Sequence, residues 1–477
     1  MKPRSLLGAL ALLLAGAHAA SAAQSRAFVY TTDFGSGAIS TIELGPPRTA
    51  VNDRANVCSD SVIRYFFGQL YVIERFGCDN IRILDPVTFG VVRQFSTGNG
   101  SNPNDICVIS PTKAYVTRYD KPELWIMNPS TGGFVGAISL APFADRDGIP
   151  EMNRMVRHGG RVFVTCQRLD RDNGFQPTDS SLVVVIDVAT DAIVDVDPGH
   201  PGPQGILLPR TNPTTEFATT PDGKFLLGCT GAYGVNDGGV VRLDPLTLSA
   251  STVEVTEAQL GGDINDVAVG TGATGAVRAF CVVSDASFNT ELLSYERTGP
   301  VTVKPIYPAI GFVLADVEVD DRDEVWVCDR TTSAPGVRVY AATTGVEITA
   351  TAINTGLPPN DIAFDATEPV AVPESGIKGG PVEFLGAFPN PARGASLSSV
   401  RFRTAGPATL EVAIVNAAGR TVRAWRSEAN GDFVLAWDGR DAAGRVAPSG
   451  VYLVRASLAG RPGIATGRLV RLAPGPL

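Results

Sequence analysis

Short runs of β-branched and aromatic residues, about four to eight long, recur between residues 26 and 365, with turn residues between them. The clearest set occupies residues 103–108, 114–117, 124–129 and 134–140. Asn128-Pro129-Ser130-Thr131-Gly132 ends the third run as a turn: Asn bonds its own backbone, Pro presets φ and Gly accepts φ > 0. Four strands of this kind cannot bury both faces of their sheet alone. The pattern therefore predicts copies alongside.

The second run recurs from Phe28, Leu70, Ala114, Val162, Phe225, Ala279 and Val325. The starts lie roughly 42 to 63 residues apart, a period suited to a four-stranded propeller blade. The first run recurs around Asp60, Asp105, Arg154, Glu216, Asp266, Asp316 and Asp361. No first run precedes Phe28, and no second run follows Asn360. The two complete each other if the chain closes into a ring, which leaves no exposed sheet edge at the join. The expected fold is all-β: a seven-bladed β-propeller over residues 24–365.

Pro103-Asn104-Asp105-Ile106, Tyr115-Val116-Thr117 and Ile83-Leu84-Asp85-Pro86-Val87-Thr88 together resemble YVTN-type β-propeller repeats. These belong with the YncE-like and quinoprotein-dehydrogenase-like propellers of secreted and surface-layer proteins. The resemblance implies architecture; propellers host binding and many chemistries.

Residues 1–23 read as a signal peptide: Lys2 and Arg4 are the positive start, residues 6–15 the apolar core, Ala20-Ser21-Ala22 a cleavage site. The apolar run is short for a membrane span, and no later stretch qualifies. A secreted or cell-surface location is expected. The net charge of −9 gives no general attraction for nucleic acid or anionic membrane.

Seven cysteines are present. Cys166, Cys229 and Cys328 sit at matching places after or at the end of second runs, as small buried core residues would. Cys58 and Cys78 flank the first two runs of one blade, where a disulfide is one reading and two thiols the other. His158 and His200 are too few and too far apart for a multi-histidine metal site.

Residues 366–382 are rich in Pro and Gly and read as a linker. Residues 383–473 carry six strand-like runs with turns between, which suggests a small β-sandwich. Within them, Pro389-Asn390-Pro391, Trp437-Asp438-Gly439-Arg440-Asp441 and Pro448-Ser449-Gly450-Val451-Tyr452 resemble the immunoglobulin-like domain of flagellar hook-capping proteins, the FlgD Ig-like type. The domain also looks like the C-terminal sorting domains of type IX secretion, with Arg468 or Arg471 as the basic residue near the final strand. The resemblance implies a role in sorting or attachment for the domain as a whole. Trp437 and Tyr452 read as its core.

Aligning the repeats places Asp60, Asp105, Arg154, Glu216, Asp266, Asp316 and Asp361 in one register at the head of the inner strands. Inner strands line a propeller's channel, so these charges are expected to ring one mouth. One reading makes the ring a site for a divalent cation, calcium the candidate, with Asp266, Asp316 and Asp361 as ligands. The other has each Asp bonding amides of its own turn. Loops after the second runs reach the same face and add Arg118, Tyr119 and Arg330; those at 170–179 and 231–238 are long.

The leading expectation is a protein that binds an extracellular polysaccharide, protein or small molecule on one propeller face. No cofactor beyond calcium is implied. Its partners would be that ligand or an envelope component, together with secretion or attachment machinery. The alternatives are a metal-dependent lactonase-like hydrolase, a quinone-dependent dehydrogenase, or a structural component of the envelope or surface layer.

Overall fold

A computed structural model of the chain describes residues 24–271, 277–365, 382–388, 392–393, 398–404, 406–416, 420–429, 432–448, 450–458 and 464–472. The expected signal peptide, nearly all of the linker, the 389–391 turn, the side chain of Arg468 and the last five residues lie outside the described residues.

The repeats fold into seven radial antiparallel sheets, as the alternation of β-branched runs and turns predicts. Their inner strands are Ser61–Phe66, Pro103–Ser110, Met152–His158, Pro213–Thr219, Asp263–Thr271, Leu314–Val319 and Pro359–Phe364, and we number blades one to seven in that order. Each inner strand neighbours the next around the ring, and the seventh neighbours the first. Blade six has three regular strands, and only the isolated bridges Val337–Ile353 and Tyr340–Glu347 stand where a fourth would run.

Blade seven is built from both ends of the repeat region. Its order is Ala50–Val57, Gly37–Glu43, Arg26–Thr32 and Pro359–Phe364. Ala27 pairs with Phe364 and Val29 with Ile362. Asp365 clamps the join by accepting from the Ser25 N–H at 2.7 Å and the Arg26 N–H at 2.9 Å. The sequence rule of one missing strand at each end is thus met by hydrogen bonding across more than 300 residues.

Apolar clusters fill the spaces between adjacent blades. Tyr71 and Ile73 of blade one pack with Ile106 and Val116 of blade two. Trp326 and Cys328 of blade six pack with Val29 and Ile362 of blade seven. These side chains are almost wholly removed from water, worth about 1.5–3 kcal/mol each. Cys107, Cys166, Cys229, Cys281 and Cys328 are all buried thiols of this kind. Cys58 and Cys78 form a disulfide that ties the start of blade one to its second turn.

The C-terminal residues form their own compact unit. One sheet orders Val382–Phe388, Ser398–Thr404 and Asp432–Trp437. The other orders Ala392–Arg393, Ile464–Leu472, Gly450–Leu458, Ala408–Asn416 and Thr421–Ala429. Val382 thus opens a strand and not the end of a linker. Trp437 and Tyr452 are buried with ring centroids 5.3 Å apart. The Arg471 guanidinium lies 5.0 Å over the Trp437 ring, and Gly439, at φ 72°, leaves the space it occupies. The turn sequence at Trp437-Asp438-Gly439 is therefore required by packing.

Closure gives the first test. A chain ending after Asp365 should keep the propeller's cooperative melting transition, since the ring's hydrogen bonds close without the later residues. A chain ending at Leu357 should lose it, because the Arg26–Thr32 strand is left with an unpaired inner edge. Thermal denaturation by circular dichroism checks both.

Candidate functional site

An inner strand pairs on one side only. Its other edge faces the channel and leaves backbone N–H groups without strand partners, a cost if they are buried. In four blades the residue at the aligned charged position supplies the missing acceptor, and it does so for the next blade. Asp105 accepts from the Met155 N–H at 2.8 Å, and Asp266 from the Val317 N–H at 2.9 Å. Asp316 accepts from the Ile362 N–H at 2.9 Å, and Asp361 from the Ile63 N–H at 2.6 Å. Each bond runs from one blade forward to its neighbour, and the last crosses the closure. Where the accepting carboxyl is ionised, such a charge-assisted hydrogen bond is worth about 1.5–3 kcal/mol. The carboxylates are inter-blade staples, and Asp105 also accepts from the Ile106 N–H of its own strand at 2.9 Å.

The structure corrects the alignment at one place. Ile63 pairs with Val72 as Ile106 pairs with Val116, so Val62 and not Asp60 holds the ring position in blade one. Asp60 stands outside the ring. Its carboxylate accepts from the Arg75 Nε at 2.8 Å and the Phe76 N–H at 3.3 Å, which fixes the next turn of its own blade.

Two further charged residues enter the channel. Arg64, two residues beyond Val62, reaches across it. Its Nε donates to Asp105 at 2.9 Å, and its other nitrogens contact Glu216 and, at 3.7 Å, Asp361. Glu318, two residues beyond Asp316, is the second. Arg154 donates to the Asn104 carbonyl at 3.2 Å and lies 3.9 Å from Glu216. Both missed residues follow the period of two along a strand, which is the signal that marks them.

Six carboxyls thus share a narrow space with two guanidiniums. Burial pushes Asp266 up to about 6 and Asp361 up to about 7; nearby Glu216 raises both. Burial also drives Asp316 and Glu318 well above the ordinary carboxyl range, with neighbouring carboxylates adding to it. A side-chain hydrogen bond joins Asp266 and Asp316, which two carboxyls make only when one of them keeps its proton. Burial lowers the Arg64 guanidinium, but Asp105, Glu216, Asp361 and Glu318 more than offset it and hold the charge in place. Among the described residues, no three His, Cys, Asp or Glu side chains are arranged to hold a metal ion. Arg64 and Arg154 offset part of the crowded charge.

The heads of the inner strands lie beside the ends of the second strands, as Pro103 opposite Arg118 shows. The turns from second to third strands therefore surround the same mouth. Arg118 is buried there, 4.2 Å over the Trp125 ring and bonded to the Thr97 carbonyl at 3.0 Å. Arg330 donates to the Thr32 and Pro359 carbonyls and to Asn360, and covers the Phe34 ring at 4.5 Å. Tyr119 is half-buried below Arg171, which ties the long loop of blade three to Asp120 at 2.8 Å and Glu151 at 2.7 Å. The structure joins these residues to blade-to-blade contacts and brings none of them into the ring.

The same turns present exposed rings that the sequence reading passed over. Phe34, Phe76, Phe175, Tyr233 and Phe288 have exposures of 73%, 74%, 49%, 62% and 63%. Phe34, Phe175 and Phe288 adopt φ of 66°, 60° and 60°. A bulky residue in this left-handed region costs about 1–2 kcal/mol relative to glycine. Carboxylates hold the turns in place: Asp33 accepts from the Gly35 and Ser36 N–H groups, and Asp285 from those of Ser287 and Asn289.

Fold and channel define a seven-bladed β-propeller closed by inner-strand staples and joined to a second β domain. Residues 390–461 of that second domain match the FlgD Ig-like domain family. Comparison with curated proteins finds no match. The chain is similar in structure to PorZ of Porphyromonas gingivalis, described as an essential bacterial surface component of the type-IX secretion system. There the identity is 14% and the TM-score 0.45, over 91% of this chain and 63% of PorZ. It is also similar to a putative 6-phosphogluconolactonase of Bacteroides fragilis, at 13% identity and TM-score 0.49, over 72% of this chain and 98% of that one. AztD of Citrobacter koseri gives 12% identity and TM-score 0.42, over 73% of this chain and 99% of AztD. Among the described residues no helix is long and apolar enough to cross a membrane.

The channel predicts a pH dependence. A carboxyl raised above its unfolded value binds a proton more tightly in the folded state, so its stabilisation is present below about pH 4 and is lost as pH rises through the folded value. Asp266, Asp361, Glu151 and Glu257, at about 6 or 7, act together in this window, while His158, lowered by burial, opposes them. The melting temperature should be higher at pH 5 than at pH 8. Arg64→Met should cost about 3–5 kcal/mol at pH 8 and clearly less at pH 5, measured by denaturant unfolding at both values.

Proposed function

We propose that this chain is an exported binding protein, secreted or held at the cell surface. Its propeller takes an extracellular ligand on the mouth face, and its FlgD Ig-like domain serves sorting or attachment to the envelope. The observation that carries the binding role is the set of exposed rings on carboxylate-held turns around one mouth. Isolated exposed apolar side chains are ordinary; several held in costly backbone conformations on one face mark an interaction surface. The channel below is a structural plug, so ligand contacts are assigned to the turns above it.

Export is supported by the signal-peptide pattern and by the Cys58–Cys78 disulfide, which is at home in an oxidising compartment. The attachment role rests on the match over residues 390–461. A chain lacking residues 383–477 should keep the propeller's melting transition and leave the cell-surface fraction. Fractionation of cells expressing each form checks this, and equal partition of the two would contradict the role given to the second domain.

A further inference from the structure

The mouth-face turns pair four of the exposed rings with a carboxylate. Asp33 is next to Phe34, Asp237 is on the loop of Tyr233, and Asp285 is on the turn of Phe288. Asp172 and Asp179 flank Phe175 and are exposed. Hydrogen bonds from turn amides hold Asp33 and Asp285 below the usual carboxyl range, so both are ionised. Phe312 adds a sixth exposed ring on the loop that leads into the inner strand of blade six.

Most cations of this face are already engaged, Lys121 on the turn of blade two being the exception among the described residues. Arg75 bonds Asp60, Arg146 bonds Asp170, and Arg171 bonds Asp120 and Glu151. Arg330 is turned onto backbone carbonyls and the Phe34 ring. What the crown offers a partner is apolar rings alternating with negative charge.

Alternation of this kind selects its occupant. Rings take apolar side chains, and carboxylates at their edges take ammonium or guanidinium groups and steer them in from solution. We propose that the crown docks a protein partner through a segment in which Lys or Arg alternates with apolar residues. This rests on the mouth-face binding role and names its ligand class. A neutral sugar chain would use the rings but leave the carboxylates without counterparts.

The turns make the idea testable without damage to the fold. Glycine is the residue that φ near +60° favours, so Phe34→Gly with Phe288→Gly should relieve the backbone while removing two rings. The test uses the full-length protein and calorimetry with three probes: a blocked peptide of alternating Leu and Lys, its Leu–Glu counterpart, and cellohexaose. The Leu–Lys peptide should bind wild type and the Leu–Glu peptide should not. Binding should weaken at least about tenfold in the double glycine variant and in Asp172→Asn with Asp179→Asn, and fall with added salt. The glycine variant should melt no lower than wild type.

Equal binding of the two peptides, or none of either, would overturn the proposal. Cellohexaose binding that the glycine variant loses would overturn it too while leaving the mouth-face role standing. A glycine variant that melts lower than wild type, with no probe bound by either form, would show the rings to be packing elements and remove both.

Discussion

Each inner strand of this propeller has one edge with no strand to pair with, and the ring stands on how that edge is satisfied. A propeller keeps the outer edges of its blades short and gathers seven inner edges around its axis. Here Asp105, Asp266, Asp316 and Asp361 carry acceptors from one blade to the backbone of the next. Interblade packing is apolar and has no direction of its own. The staples add direction, and the one from Asp361 to Ile63 locks the closing strand to the first complete blade.

The same device gathers charge. Carboxylates that reach across blade boundaries necessarily crowd the axis, and burial there penalises every one of them. Arg64 and Arg154 answer part of that, and the hydrogen bond between Asp266 and Asp316 answers another part. The channel is thus filled by its own counter-charges. That is why the proposed ligand contacts are assigned to the turns above, where strain is kept in three left-handed phenylalanines and turn carboxylates stay ionised.

Much of this was legible in the sequence. The recurring second runs gave the blades, and the unmatched runs at Phe28 and Asn360 gave the closure. The register of Asp105, Arg154, Glu216, Asp266, Asp316 and Asp361 showed directly, because Asn or a small residue precedes each. Blade one misled: Ser59-Asp60 has the turn chemistry of Asn-Asp, but the strand starts two residues later, after the segment tied by Cys58–Cys78. Turn chemistry suggested that each Asp bonds its own backbone, as Asp105 does at Ile106; the further partner lies on another blade, roughly 50 or more residues away, which no local rule reports. Phe34 and Phe288 were visible as hydrophobes where a turn favours Gly or Asn, a signal of function that composition hides.

The staple account is tested most directly by hydrogen exchange at single amides. The N–H groups of Ile63, Met155, Val317 and Ile362 should exchange as slowly as those paired between strands, although no strand faces them. Asp316→Ala should speed exchange at Ile362 selectively while the amides of blades two to four keep their protection. Fast exchange of these four amides in the wild type, or no change at Ile362 in the variant, would contradict the claim that the inner carboxylates hold the ring together.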